Sequence, residues 1–137
     1  MAAITKGLFV KSPWIDLILD GKKTWELRST KTAKRERIAL IESGSRLLKG
    51  TCEIVGVRGA LRKSTLLQNL DKHQVPQEKI EAGLGRKRVY AWVMADPRRL
   101  DDPPVVPKVI GPVIWIDLTR FPDIYEIVNR TAWREES

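Results

Sequence analysis

The stretch Gly21-Lys22-Lys23-Thr24-Trp25-Glu26-Leu27-Arg28 marks a change in hydrophobic periodicity along this chain. Before it, apolar residues between positions 14 and 18 recur at i, i+3 and i+4, which predicts one helical face. This helix should begin at Ser12-Pro13, with the serine as its cap, and should stop at Gly21. After it, Trp25 and Leu27 alternate with polar residues, as in a half-buried strand. A helix of barely two turns is not stable alone, so we expect it to pack against a sheet.

The same patterns assign elements to most of the remaining chain. They predict strands at 8–10, 37–42, 52–57, 89–94 and 110–118, and short helices at 64–70, 76–80 and 124–128. Gly56 is a candidate bulge, Ser64 a candidate cap, and 97–107 is rich in turn residues. Helices this short are poor crossovers for a parallel sheet. We therefore predict an α+β fold, a small and partly open β-barrel of about five to six mostly antiparallel strands with a few short helices.

Length and charge restrict the organisation and the partners. A chain of 137 residues fits one domain, which we place at 1–120, with 121–137 as a C-terminal helix or tail. The formal net charge is +8, and it is uneven: from residue 117 onward there are five acids and three arginines, so the first 116 residues carry +10. Such a field attracts polyanions. The plainer interpretation is a solvated surface that keeps the protein in solution.

Several classes of protein are disfavoured by what the sequence lacks. It has no long apolar run and no N-terminal pattern of a signal peptide, so we expect no membrane partner and a cytoplasmic location. Cys52 is the single cysteine, in an apolar run that favours a buried thiol, and we expect neither a metal nor a cofactor. His73 is the single histidine, in a polar stretch that favours the surface. A ribonuclease mechanism with two histidines is thereby excluded.

The charged residues of the opening stretch form the densest candidate site. Glu26 and Arg28 lie on one strand face, about 7 Å apart, with Lys23 at its end and with Lys22 and Thr24 beside it. An arginine fork suits a phosphate or a base edge, and a lysine supplies a point charge. A carboxylate among them favours a ligand that also offers donors, such as a base. The alternative is a solvated strand face with an ion pair worth at most about 1 kcal/mol.

Other residues are weaker candidates. The basic loops Arg62-Lys63 and Arg86-Lys87-Arg88 either contact phosphates or are ordinary solvated turns. Trp92 and Trp115 stand in apolar runs and are expected in the core. Trp14, on the first helical turn beside the charged stretch, either stacks on a base or packs in the core.

The pattern Gly-x-Lys-x-x-Glu-x-Arg, present as Gly21, Lys23, Glu26 and Arg28, resembles the signature of the ASCH family. Flanking segments agree with it in order; they are Ser12-Pro13-Trp14, Tyr90-Ala91-Trp92-Val93 and Gly111-Pro112-Val113-Ile114-Trp115. The resemblance implies a β-barrel similar to the PUA domain, with the pattern lining a cleft beside the first helix. It also implies RNA binding, and some members of the family are described as hydrolases or ribonucleases.

One branch of that family is an amidohydrolase of N4-acetylcytidine with a Lys-x-x-Thr pair. Lys23 matches its lysine, but Glu26 stands at the threonine position, and Thr24 is adjacent to the lysine instead. Lys23 and Glu26 together can still transfer protons to a bound water. The leading hypothesis is therefore an RNA- or nucleotide-binding module, favoured as a monomer. A hydrolase of a modified nucleoside or of RNA is the alternative, and a protein-interaction domain is the third option.

Overall fold

The computed structural model describes residues 2–84, 88–111 and 113–132. In chain order its elements are β1 (Lys6–Val10), α1 (Trp14–Leu19), β2 (Trp25–Arg28), β3 (Arg37–Glu42), β4 (Leu48–Gly59), α2 (Lys63–Leu67), α3 (Leu70–His73), α4 (Gln77–Glu81), β5 (Tyr90–Arg99), β6 (Trp115–Asp117), a 3-10 turn (Leu118–Arg120) and α5 (Pro122–Ala132).

The six strands form one mixed sheet in the order β2-β5-β4-β3-β1-β6. Strands β1 and β3 are parallel, and the other neighbours are antiparallel. The sheet curls into a half-barrel with β2 and β6 at its two edges. The predicted α+β fold with a partly open, mostly antiparallel barrel is confirmed.

Three strands, β1, β4 and β5, are longer than the sequence predicted, and one is shorter. β5 continues through Pro97 to Arg99, a segment that we expected to be turns. The proline is tolerated because β2 ends opposite Val93, which leaves β5 with one neighbour there, and because the register against β4 shifts at this point. The shift predicted at Gly56 is also present. The last strand is reduced to Trp115–Asp117, and Pro112 lies outside the described residues.

The predicted serine caps are wrong, whereas the predicted glycine stop is right. Helix α1 has no side-chain cap, because the amide of Ile15 already donates to the carbonyl of Lys11 within the backbone. Ser64 lies inside the first turn of α2 rather than before it, and the predicted helix 64–70 is split into α2 and α3. Gly21 adopts a φ of +79°, a conformation that ends α1 and that glycine reaches at low cost.

Three apolar clusters stabilise the sheet. One fills the inside of the curl and includes Cys52, whose burial raises the pKa of its thiol to about 12, so this residue is a core side chain. A second lies under α5, which inserts Ile124 and Val128, and a third lies between the sheet and helices α2 to α4. The boundary between 1–120 and 121–137 stays a prediction. Within the described ranges, no helix is long and apolar enough to cross a membrane.

Candidate functional site

A cleft of about 710 Å³ opens on the concave side of the sheet, beside α1. Strand β2 contributes Glu26 and Arg28 to it, and β1 contributes Phe9. The segment 29–32 that follows β2 forms one wall. The lining also includes Lys11, Trp14, Lys23, Trp92 and Trp115. The structure thus brings Lys23, Glu26 and Arg28 into a single cleft.

Lys23 lies at the bottom of this cleft with only 1% of its side chain exposed. It is placed there because its backbone amide caps α1 by donating to the carbonyl of Leu17, directly after the turn at Gly21. Its Nζ donates to the backbone carbonyl of His73 and lies 3.9 Å from Oε1 of Glu26 and 4.9 Å from the centre of the Trp14 ring. A buried ammonium is tolerated only with such partners.

Glu26 and Arg28 form a connected pair along the same face of β2. The Nε of Arg28 donates to Oε2 of Glu26 at 2.9 Å, and its Nη2 lies 2.8 Å from the same oxygen. The Nη2 also donates to the carbonyl of Phe9 at 2.8 Å, which ties β2 to β1 although these strands are not neighbours in the sheet. The side chain of Glu26 is 8% exposed and that of Arg28 20% exposed. The solvated ion pair that the sequence allowed is therefore excluded.

Among the tryptophans of the cleft, one differs from its predicted position. Trp115, which we expected in the core, is half-buried and lines the cleft. Trp92 is buried as expected but also lines it, and the two indole rings stack with centres 5.8 Å apart at 14°. Arg28 lies 5.6 Å from the ring of Trp92, and Lys34 lies 5.2 Å from that of Trp115. Trp14 is half-buried, and so is available both to the core and to a ligand.

His73 is fully buried, and the prediction of a surface histidine is wrong. The amide of Val75 donates to its Nδ1 at 3.0 Å, and its Nε2 lies 2.7 Å from the carbonyl of Leu66, an arrangement that suits the neutral tautomer with the proton on Nε2. Burial, together with the nearby charge of Lys23, lowers the pKa of His73, against the opposing effects of the Leu66 carbonyl and Asp71. The hydrogen bonds of the His73 ring fix the loop in which the backbone carbonyl of His73 accepts from Nζ of Lys23. The polar residues around His73 in the sequence do not indicate this role.

This arrangement predicts a pH dependence of stability. Because the pKa of His73 is lower in the folded state, the unfolded chain takes up the proton first, and stability should fall as the pH drops below about 6.5. The slope approaches at most about 1.4 kcal/mol per pH unit. The carboxylates with lowered pKa values, such as Asp16, add their losses only nearer pH 4. Urea unfolding of the wild type and of His73→Asn between pH 7.5 and 5 measures this, and equal slopes in both would contradict it.

Some predicted site residues lie elsewhere. Lys22 and Thr24 are exposed and are not among the residues that line the cleft. Arg88 is also exposed, and Arg86 and Lys87 lie outside the described residues. Hydroxyl and lysine side chains of the segment after β2, which were not predicted as site residues, also line the cleft; they are Ser29, Thr30, Lys31 and Thr32. Their signal was present as the polar run 29–35 directly after the charged strand.

A metal centre would require several histidine, cysteine or carboxylate side chains close together. Among the residues that the structure describes, no group of three or more histidine, cysteine, aspartate or glutamate side chains is placed to hold a metal ion. The carboxylate of Glu26 in the cleft is instead paired with Lys23 and Arg28.

The open half-barrel with a charged cleft beside its first helix agrees with the PUA-like class that the sequence resemblance implied. More particularly, the chain belongs to the ASCH domain family, whose model matches residues 8–104. The solved structure of ASCH from Zymomonas mobilis is similar, with a TM-score of 0.67 and 14% identity over 82% of this chain and 86% of that one. A serine-to-alanine mutant of that bacterial protein has a TM-score of 0.65 and 15% identity, over 82% of this chain and 87% of the mutant's. A tyrosine-to-phenylalanine mutant has a TM-score of 0.62 and 16% identity, over 74% of this chain and 75% of the mutant's. These similarities concern the fold. A comparison with curated proteins gave no match.

Proposed function

We propose that this domain binds single-stranded RNA and holds one nucleotide of it in the cleft. The observation that carries the proposal is the combination, in one concave site, of tryptophan rings with a buried carboxylate that two cations hold in place. A volume of about 710 Å³ lies within the usual range for small-molecule sites. Single-stranded bases are typically bound by stacking and by hydrogen bonds to their edges.

The chemistry of the cleft suits a base that presents an amino group. Oε1 and Oε2 of Glu26 are acceptors, fixed in position by Arg28 and Lys23, and such acceptors pair with the exocyclic amine of cytosine or adenine. Trp115 and Trp14 are half-buried and offer partly exposed ring surface, and a base stacked on an aromatic ring gains about 1–3 kcal/mol. The carboxylate of Glu26 therefore distinguishes among bases, and the rings of Trp14 and Trp115 add affinity for any base.

Lysines around the cleft are suited to the phosphates on either side of the bound base. Lys11, Lys31 and Lys79 are exposed and line the cleft, and Lys34 stands over Trp115. Lys11, Lys31 and Lys79 are exposed whereas Glu26 is buried, so they can neutralise phosphates that remain outside the buried part of the cleft. The excess charge of the first 116 residues acts in the same direction.

A hydrolase is the second candidate, and one observation favours it. The Nζ of Lys23 lies 3.9 Å from Glu26 in a buried site, which is a geometry for proton transfer to a bound water or substrate. Against it, the carbonyl of His73 and the carboxylate of Glu26 both suit a lysine that donates rather than one that accepts a proton. Glu26 also occupies the place of the threonine in the related amidohydrolase pattern.

The salt dependence of RNA binding tests the proposal. If about four to six cations contact single-stranded phosphates, log K should fall against log salt with a slope of about −3 to −4. Fluorescence anisotropy of a labelled decanucleotide between about 50 and 300 mM salt measures the slope. Quenching of tryptophan emission by cytidine monophosphate reports the cleft separately. An affinity that is flat in salt, without quenching, would reject the proposal in favour of a protein-interaction domain.

A further inference from the structure

A second concave surface lies on the other side of β2, between the sheet and helices α2 and α3. We call it the Trp25 groove; its volume is about 450 Å³, and it is lined by Trp25, Arg58, Gly59, Ala60, Leu61, Thr65, Asn69 and Lys72. Strand β2 sends Trp25 into this groove and Glu26 into the cleft, since side chains alternate along a strand. The groove and the cleft therefore share one edge strand of the sheet.

The base of the groove is an indole ring that positions two cations. Trp25 is 4% exposed, the guanidinium of Arg58 lies 5.9 Å from its ring centre, and the ammonium of Lys72 lies 5.2 Å from it. Both basic residues are exposed, and within the described residues neither forms an ion pair with a carboxylate. The two cations have one ring as their common neighbour, and an anion in the groove would offset their mutual repulsion.

The segments beside the groove carry further exposed basic residues. The amide of Leu61, which lines the groove, donates to the carbonyl of Val89 at 2.8 Å, and Arg62 and Arg88 are the sequence neighbours of this pair. Both are exposed. Lys63, in contrast, donates to the carbonyl of Glu81 and is directed elsewhere. Among the residues that line the groove, Arg58 and Lys72, which are distant in the sequence, supply the positive charge.

We propose that the Trp25 groove binds a backbone phosphate of the same RNA strand whose base occupies the cleft. This inference rests on the proposed function. Trp25 is too buried to stack on a base, so the groove offers charge without a surface for base recognition, as a phosphate subsite does. Lys22 and Thr24 are exposed at the turn that leads into β2, the strand that contributes to both surfaces, and we expect the RNA to pass over this turn.

Neutralising the groove tests this assignment. The variant Arg58→Gln/Lys72→Gln is compared with Lys108→Gln/Arg120→Gln, which makes the same change in net charge with exposed residues near β6. For the groove variant we expect the affinity for a labelled decanucleotide to fall about tenfold, with a salt slope shallower by about 1.4, which corresponds to two phosphate contacts. The affinity for cytidine monophosphate should not change. The control should lose much less on the decanucleotide.

Backbone amide chemical shifts identify the surface directly and do not depend on a variant. The decanucleotide should shift the amides of Ala60, Leu61 and Thr65 in the wild type, whereas cytidine monophosphate should not. Unchanged shifts there, with equal losses in both variants, would overturn the groove and leave the cleft proposal standing. A wild type that binds neither ligand would overturn both. The same shifts produced by polyglutamate, with none by RNA, would replace the RNA strand by an acidic protein.

Discussion

Replacing Lys23 by methionine should lower the free energy of unfolding by about 3–5 kcal/mol, the usual cost of removing one partner of a buried ion pair. Methionine nearly preserves the volume but removes the donor to the carbonyl of His73 and one of the two cations that hold Glu26. It also removes the cation over Trp14. The carboxylate would remain buried with Arg28 as its partner. Urea unfolding at neutral pH measures the difference.

Lys22 provides a matched control one position away. Its side chain is exposed, and its backbone amide, which donates to the carbonyl of Leu17, is retained in any substitution but proline. Lys22→Met makes the same chemical change and should cost less than about 0.5 kcal/mol, as is usual for surface substitutions. Equal effects of the two variants would show that Lys23 is not the buried partner of the site.

Replacing Glu26 by glutamine should reduce the preference for a base with an amino group by about 10-fold or more, within the roughly 1–3 kcal/mol of a specific base contact. The glutamine keeps the size and one acceptor but loses the charge that Arg28 and Lys23 hold. Removing a negative charge from a basic cleft should at the same time tighten non-specific RNA binding. Competition between cytidine and uridine monophosphates measures the preference. Glu36→Gln, outside the cleft lining, serves as the control.

The same variant separates binding from catalysis. In a hydrolase, loss of this acid–base group should reduce turnover by about 100-fold or more, with substrate binding nearly intact. In a binding module, RNA is recovered unaltered from the wild type and from the variant. Hydrolysis of N4-acetylcytidine or of RNA by the wild type, abolished by Glu26→Gln and by Lys23→Ala, would therefore replace the binding proposal by the second candidate.

The elements around the candidate site could be read from the sequence because local rules govern them. The glycine at position 21 ends α1 wherever the helix packs, and the alternation after it can place Glu26 and Arg28 on one face in any sheet. The strand at 37–42 was also predicted within its observed bounds. The serine cap of α1 failed because a backbone carbonyl of the loop before the helix already satisfies one of its first amides, and no local pattern reports this.

The surroundings of individual side chains depend on the tertiary structure alone. His73 stands in a polar stretch, yet it is buried because α3 packs against β2 and its ring satisfies Leu66 and Val75. Trp115 stands in an apolar run, yet it faces the cleft because β6 is an edge strand. Composition and periodicity indicate on which face of a helix or strand a residue lies. Whether that face lies against solvent, a core or a cleft depends on segments that are far apart in the chain. Only the complete fold brings such segments together, as it does Trp25 and its partner Val93.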